Sequence, residues 1–112
     1  MAYSSSLGEF EQIVLLAVLR LKAEAYGVSI RTEITERTGR EPSAGALYTT
    51  LERLETKGLL KSRTGDPTPQ RGGRAKRYYT VSASGNVAIA RAQRAFRNML
   101  EGVKLPTRGS LA

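Results

Sequence analysis

Residues 43–60, SAGALYTTLERLETKGLL, decide the fold that we expect for this chain. Leucines recur at the three- and four-residue spacing of a helix with one buried face, at Leu47, Leu51 and Leu54. Ser43 is a residue type that caps helix N-termini, and Gly58 is one that commonly follows a helix. The segment therefore predicts a helix that follows Ser43 and runs to about Lys57.

A shorter helix is expected immediately before this one, from Tyr26 or Gly27 to Thr38. Gly39 ends it, because glycine adopts a left-handed conformation at little cost. Pro42 disfavours a helical residue before it, so the chain turns within a few residues. Two helices joined by a short turn that contains glycine form a helix-turn-helix.

A first helix is expected from Phe10 to Leu21, and it is apolar on nearly every side. Leu15, Leu16 and Leu19 fall on faces that an amphipathic helix leaves exposed. Since a helix that is apolar all round is normally buried on more than one side, we expect it to contact both its own core and a partner.

The second half of the chain predicts two strands and one more helix. The strands are expected at Leu59–Arg63 and Ala75–Val81, joined by a loop rich in Gly and Pro. The last helix is expected to be capped by Ser82, to run to about Val103 and to be stopped by Pro106.

This order predicts a mainly α (α+β) fold: a winged helix-turn-helix of three helices and a two-stranded wing, then a C-terminal dimerisation helix. On this division, residues 1–81 are a DNA-binding domain, and residues 82–112 are the dimerisation helix and tail.

The amino-acid composition excludes several classes of enzyme and metal site. The chain has 112 residues with neither Cys nor His, which excludes thiol nucleophiles, zinc fingers and Ser-His-Asp triads. Gly72 and Gly73 lack the surrounding pattern of a phosphate-binding loop. We therefore expect no enzyme, metal or cofactor. The longest apolar run, Ile13 to Leu19, is too short to span a membrane, and no signal peptide precedes it, so the cytoplasm is the expected compartment.

The charge of the chain is unevenly distributed. Its net charge is +8, yet residues 1–56 hold 6 Lys and Arg against 8 Asp and Glu, and residues 57–112 hold 12 against 2. The wing carries much of this charge, which suits contact with the phosphates of double-stranded DNA. Its candidate DNA-binding residues are Arg71, Arg74, Lys76, Arg77 and Tyr78.

The helix after Ser43 is the candidate recognition helix. Tyr48 is suited to donate its hydroxyl to a phosphate, and Thr49 and Arg53 are suited to reach base edges or the backbone. Glu52 shares this face but repels phosphate, so it is left out of the site. The candidate residues here are Ser43, Ala44, Gly45, Tyr48, Thr49 and Arg53.

Other interpretations remain open for the same residues. Tyr48 suits half-buried packing, and Arg53 suits an ion pair with Glu52 or Glu55. The hairpin also suits a solubilising role, or a protein-interaction module whose basic face binds an acidic partner.

Two segments, residues 43–60 and residues 72–85 (GGRAKRYYTVSASG), resemble PadR-like transcriptional regulators. The resemblance covers about residues 7 to 103 and implies a dimeric bacterial repressor that binds an inverted-repeat operator. It also implies that Tyr48, Lys76 and Tyr78 contact the DNA backbone.

The resemblance further implies that the last helix packs against the first helix of a second copy. The dimer-interface residues expected are Phe10, Val14, Leu16, Ala92, Phe96, Met99, Leu100 and Val103. Some relatives stack flat, apolar drugs on aromatic residues between the subunits, but this chain has no Trp. A small-molecule effector is therefore left unassigned.

Overall fold

The computed structural model describes residues 7–65 and 75–106. Its elements, in chain order, are α1 (Glu9–Leu21), α2 (Gly27–Thr38), α3 (Ala44–Thr56), β1 (Leu60–Thr64), β2 (Arg77–Val81) and α4 (Ala83–Leu100). One short 3-10 turn, Lys22–Glu24, lies between α1 and α2. The order is that of a winged helix-turn-helix followed by a C-terminal helix, so the predicted fold class is confirmed. None of the helices in the described ranges is long and apolar enough to cross a membrane.

The core lies where α1, α2 and α3 meet, and it continues beneath the hairpin and the start of α4. Its largest fully buried side chains are Leu15, Ile30, Ile34, Leu47, Leu51, Leu54, Val14 and Val18. The three leucines of α3 are buried, as predicted.

Two expectations for α1 need correction. The sequence puts Leu15 on a face that we expect a partner to cover, and Val14 at a dimer interface, but both side chains are 0 % exposed within the single chain. Helices pack on both sides of this part of α1, so it has a wider buried face than one amphipathic stripe provides. Leu16 and Leu19 do reach the surface, with 39 % and 38 % of their area exposed.

Side-chain caps begin both later helices at the serines predicted from the sequence. The Ser43 hydroxyl accepts a hydrogen bond of 3.0 Å from the Ala46 N–H, and the Ser82 hydroxyl accepts one of 3.0 Å from the Gly85 N–H. The end of α4 comes earlier than predicted, at Leu100 instead of Val103. The backbone leaves the helix at Glu101, whose ψ is 127°, and Gly102, with a φ of 80°, completes a turn closed by a 2.9 Å hydrogen bond from the Val103 N–H to the Leu100 carbonyl oxygen.

β1 and β2 form the antiparallel wing, in which Leu60 pairs with Val81 and Thr64 with Arg77. β1 has the predicted length but begins and ends one residue later, at Leu60 and Thr64. β2 is two residues shorter than predicted, because residues 75–76 lie outside it. The backbone before α2 also joins the wing: Tyr79 N–H donates a 2.8 Å hydrogen bond to the carbonyl oxygen of Ala25. The wing is therefore held against the helix-turn-helix by a backbone contact as well as by the core.

Candidate nucleic-acid interface

One side of α3 is free of core contacts and carries all the candidate residues predicted for this helix. These residues are each exposed: Ser43, Ala44, Gly45, Tyr48, Thr49 and Arg53. The face begins with small, uncharged side chains, which permit close approach of a ligand to the backbone. The N-terminal end of α3 also carries the positive end of the helix dipole.

Tyr48 combines exposure with tight packing. Its side chain is 49 % exposed, yet its hydroxyl lies so close to Gly27 that a β-carbon there has no room. The start of α2 thus fixes the position of a residue on α3. The contact with Gly27 agrees in part with the packing interpretation of Tyr48, and its contact with a phosphate stays a prediction.

A groove of about 430 Å³ separates α2 from the start of α3. Arg31 crosses it and donates a 2.7 Å hydrogen bond from Nε to the carbonyl oxygen of Pro42, which holds the turn between the helices. Two acids, Glu36 and Glu41, also line the groove. The basic side chains predicted for the site therefore lie outside this groove, at Arg53 and on the wing.

Arg53 pairs with an acid other than the two considered from the sequence. Its Nη1 atom lies 3.7 Å from Oε2 of Glu11, whose side chain is only 8 % exposed. Burial by itself raises the pKa of Glu11, but hydrogen bonds from Lys57 and the Gly8 N–H, with the charge of Arg53, lower it below 4.5 overall. Glu11 therefore carries a negative charge beside two cations, Arg53 in α3 and Lys57 directly after it.

The wing residues differ in their surroundings. Arg77 lies with Nη2 3.6 Å from Oε2 of Glu55, a carboxylate that also accepts a hydrogen bond from the Ser62 hydroxyl. Glu55 thereby ties the last turn of α3 to both strands of the wing. Burial, opposed by the charge of Arg77, raises the pKa of Tyr79 above its ordinary value.

Tyr78 and Lys76 belong to a cluster of aromatic rings and cations at the base of the wing. Arg63 stacks over the Tyr78 ring with 4.8 Å between its guanidinium carbon and the ring centroid. The Nζ atom of Lys76 lies 4.3 Å from the ring centroid of Tyr26. The two remaining candidates, Arg71 and Arg74, lie outside the described residues.

A separate apolar surface lies on α4 and the adjoining part of α1. Phe96 and Met99 are 67 % and 78 % exposed. Phe96 also lines a groove of about 870 Å³ that α4 forms with the start of α1 and with residues that follow α3. The other dimer-interface candidates outside the core are half-buried or exposed: Phe10, Leu16, Ala92, Leu100 and Val103. Val14 is fully buried within the single chain, so it does not belong to this surface.

Three residues that position this site were missed by the sequence interpretation: Glu11, Tyr26 and Glu55. Glu11 stands three residues after Gly8 at the start of an apolar helix, which is the spacing of a helix-capping acid. That spacing was the one available signal. The contacts of Tyr26 and Glu55 join distant parts of the chain, and no local pattern indicates them.

Comparison with known proteins gives concordant matches. The family model described as the transcriptional regulator PadR-like family matches residues 15–91. Transcriptional regulator Rv3488 of Mycobacterium tuberculosis (strain ATCC 25618 / H37Rv) is 37% identical over 82 residues, which are 71% of this chain and 70% of that protein.

Solved structures agree with the fold. A PadR family transcription regulator from hypervirulent Clostridium difficile R20291 superposes with a TM-score of 0.67 at 25% identity, over 82% of this chain and 92% of that one. A PadR family transcriptional regulator from Eggerthella lenta DSM 2243 gives a TM-score of 0.67 at 24% identity, over 85% and 82% of the two chains.

Proposed function

This chain belongs to the PadR-like family of transcriptional regulators and is not an enzyme, and we propose that it acts as a repressor that binds an inverted-repeat operator as a homodimer. The observation that carries the proposal is the exposed face of α3. Its side chains from Ser43 to Arg53 are held outward by the buried leucines of the same helix. A helix of this kind fits the major groove of double-stranded DNA.

In the proposed complex, α3 supplies base contacts and the wing supplies backbone contacts. We expect Thr49 and Arg53 to contact base edges or the backbone, and Tyr48 and Lys76 to contact phosphates. Arg77 and Tyr78, with Arg71 and Arg74, complete the proposed wing contacts. Because Arg77 lies near Glu55, we expect its share of the phosphate attraction to be smaller than that of Lys76.

The apolar surface of α4 supports the homodimer. Exposed Phe96 and Met99 side chains next to an apolar groove are typical of surfaces that associate. In the proposed two-fold dimer we expect two copies of α3 about one helical turn of DNA apart, roughly 34 Å, which would match an inverted repeat. On this proposal residues 1–81 bind DNA, residues 82–112 dimerise, and the protein works in the cytoplasm.

The test is selection of bound fragments from a random DNA pool at near-physiological salt, followed by sequencing. We expect enrichment of an inverted repeat whose half-sites are one helical turn apart. Binding without enrichment that weakens steeply with salt would contradict the proposal and favour the module that binds an acidic protein.

A matched pair of variants tests the wing within the same experiment. Lys76→Ala removes a proposed phosphate contact, so it should weaken binding to all sequences and reduce the salt slope by about 1 for each phosphate that is no longer neutralised. Lys104→Ala removes the same charge from an exposed position after α4 and should leave the slope unchanged. Equal effects of the two variants would contradict the wing assignment.

A further inference from the structure

Tyr26, the residue that precedes α2, makes several contacts with the base of the wing. Its ring meets the ring of Tyr78 edge-on, with 5.6 Å between centroids and 63° between planes. The backbones of the same two residues form an isolated β-bridge. The ammonium group of Lys76 lies over the face of the Tyr26 ring, 4.3 Å from its centroid. One half-buried side chain thus contacts two proposed DNA-contacting residues.

We propose that Tyr26 is a positioning residue for Lys76. The ring of Tyr26 holds the ammonium group of Lys76 in place for contact with a DNA phosphate. This inference rests on the proposed function, because it takes Lys76 to be a phosphate contact.

The physical reason lies in the charge distribution of an aromatic ring. The ring face is electronegative and attracts an ammonium group, so it restricts a long and otherwise freely rotating side chain. Lysine has three N–H donors, and contact with the ring on one side leaves donors available to a phosphate on the other. The entropy of ordering Lys76 is then largely lost before DNA arrives.

The neighbouring residue shows why a ring suits this role. Arg77 lies 3.6 Å from the Glu55 carboxylate, whose negative charge offsets the attraction of Arg77 for phosphate. The Tyr26 ring is neutral, so it orients Lys76 without cancelling its charge. The backbone of Lys76 is fixed too, because its carbonyl oxygen accepts a 2.7 Å hydrogen bond from the Gly65 N–H.

The position of Tyr26 also brings the wing close to α3. Gly27, the next residue, contacts the Tyr48 hydroxyl. Lys76 of the wing therefore contacts Tyr26, and Tyr48 of α3 contacts the next residue along the chain. The start of α2 is thus in contact with one proposed phosphate contact from the wing and one from α3.

A double-mutant cycle tests the inference on the full chain. Binding of a mixed-sequence duplex of about 30 base pairs, roughly three helical turns, is followed by fluorescence anisotropy at several salt concentrations. The proteins compared are wild type, Tyr26→Leu, Lys76→Ala, the double variant and Tyr26→Phe. Leucine keeps an apolar side chain but removes the ring, whereas phenylalanine keeps the ring face.

We expect Tyr26→Leu to weaken binding about two- to fivefold for each wing, the range that corresponds to an exposed cation–ring contact. The effect should become clearly smaller in the Lys76→Ala background, because the ring then has no ammonium group to position and only its contact with Tyr78 remains. Tyr26→Phe should bind as wild type does.

Two results would overturn the inference alone while wild-type DNA binding persists. One is equal weakening by Tyr26→Leu with and without Lys76, which would mean that the ring acts through the fold or through Tyr78. The other is wild-type affinity in Tyr26→Leu when Lys76→Ala binds more weakly. A wild-type protein that does not bind the duplex overturns the proposed function and the inference together.

A measurement on the free wild-type protein keeps the inference testable if Tyr26→Leu does not fold. Protons on the ε-carbon of Lys76 should be shifted upfield in the NMR spectrum by the ring current of Tyr26. Loss of the shifted resonance in Lys76→Ala assigns it. An unshifted Lys76 resonance would overturn the inference.

Discussion

Lys57, the residue after α3, donates a 2.8 Å hydrogen bond to the buried carboxylate of Glu11 near the start of α1. The other carboxylate oxygen of Glu11 accepts a 2.9 Å hydrogen bond from the Gly8 N–H. A single acid therefore caps α1 and joins it to the C-terminal end of α3. The proposed recognition helix is attached to the core by this contact as well as by its leucines.

We expect Glu11→Gln to lower the free energy of unfolding by about 2 kcal/mol, the usual worth of a hydrogen bond to a charged group. Glutamine still accepts from the Gly8 N–H but carries no charge for Lys57. The matched control is Glu9→Gln, since Glu9 is 80% exposed and forms a surface pair with Arg40. Urea unfolding measures both, and equal small losses would contradict a structural role for Glu11.

The Glu11 contribution should also depend on pH. Its folded-state pKa is lowered from 4.5, so its stabilisation is present above the unfolded-state pKa and is lost as pH falls through the lower folded-state value. The stability difference between wild type and Glu11→Gln should therefore shrink below pH 4.5. Taking the difference between the two proteins cancels the pH dependence contributed by other acids. One of these is Glu33, whose pKa is lowered by hydrogen bonds from Arg20 and Arg37. A difference that stays constant below pH 4.5 would contradict this account.

The two serine caps should differ in their contribution to stability. Ser82 is buried, and besides capping α4 its hydroxyl donates a 2.7 Å hydrogen bond to the carbonyl oxygen of Gly58. Ser43 is exposed and caps α3 alone. We expect Ser43→Ala to cost about 1 kcal/mol and Ser82→Ala about 2 kcal/mol, because the second also removes the hydrogen bond to the Gly58 carbonyl oxygen. Thermal unfolding of both variants tests the order, and equal costs would contradict it.

Local patterns account for the features that were predicted correctly. A capping serine, a leucine stripe and a terminating glycine act over a few residues, so α3 and its exposed face follow from residues 43–60. The same reasoning failed for α1, where Leu15 and Val14 are both buried. A helix packed from several directions has no single stripe, and the number of its neighbours depends on the tertiary fold.

Long-range contacts explain what was missed at the candidate site. Glu55 pairs with Arg77 only because the hairpin folds back on the end of α3. Arg53 pairs with Glu11 instead of with Glu52 or Glu55, because α1 passes beside α3. Spacing along one helix identifies which side chains face outward, but it does not identify the partners that other elements bring to them.

Gly27 should be far less tolerant of a methyl group than Gly45, although both lie in the first turn of a helix. A β-carbon at Gly27 would overlap the Tyr48 hydroxyl, whereas nothing lies within 4 Å of one at Gly45. We expect Gly27→Ala to lower the free energy of unfolding by about 1–3 kcal/mol through overpacking. Gly45→Ala should raise it by up to about 1 kcal/mol.

Replacing Tyr48 distinguishes this clash from other causes. In the Gly27→Ala background, Tyr48→Ala removes the overlapping atoms, so the double variant should be more stable than the sum of the two single effects. Simple additivity in denaturant unfolding would indicate that the side chain moves aside freely and would contradict a fixed position for Tyr48.

Phe96 provides the sharpest test of the proposed dimer, because its side chain is 67 % exposed and contributes to the groove between α1 and α4. We expect Phe96→Asp to raise the dimer dissociation constant about thirtyfold or more, since it places a charge in an apolar contact. Asn98→Asp adds the same charge to an exposed site on the opposite side of α4 and should have little effect. Sedimentation equilibrium measures both variants. A wild-type monomer at micromolar concentration, or equal effects of the two substitutions, would contradict the assignment of this surface and with it the two-fold match to an inverted repeat.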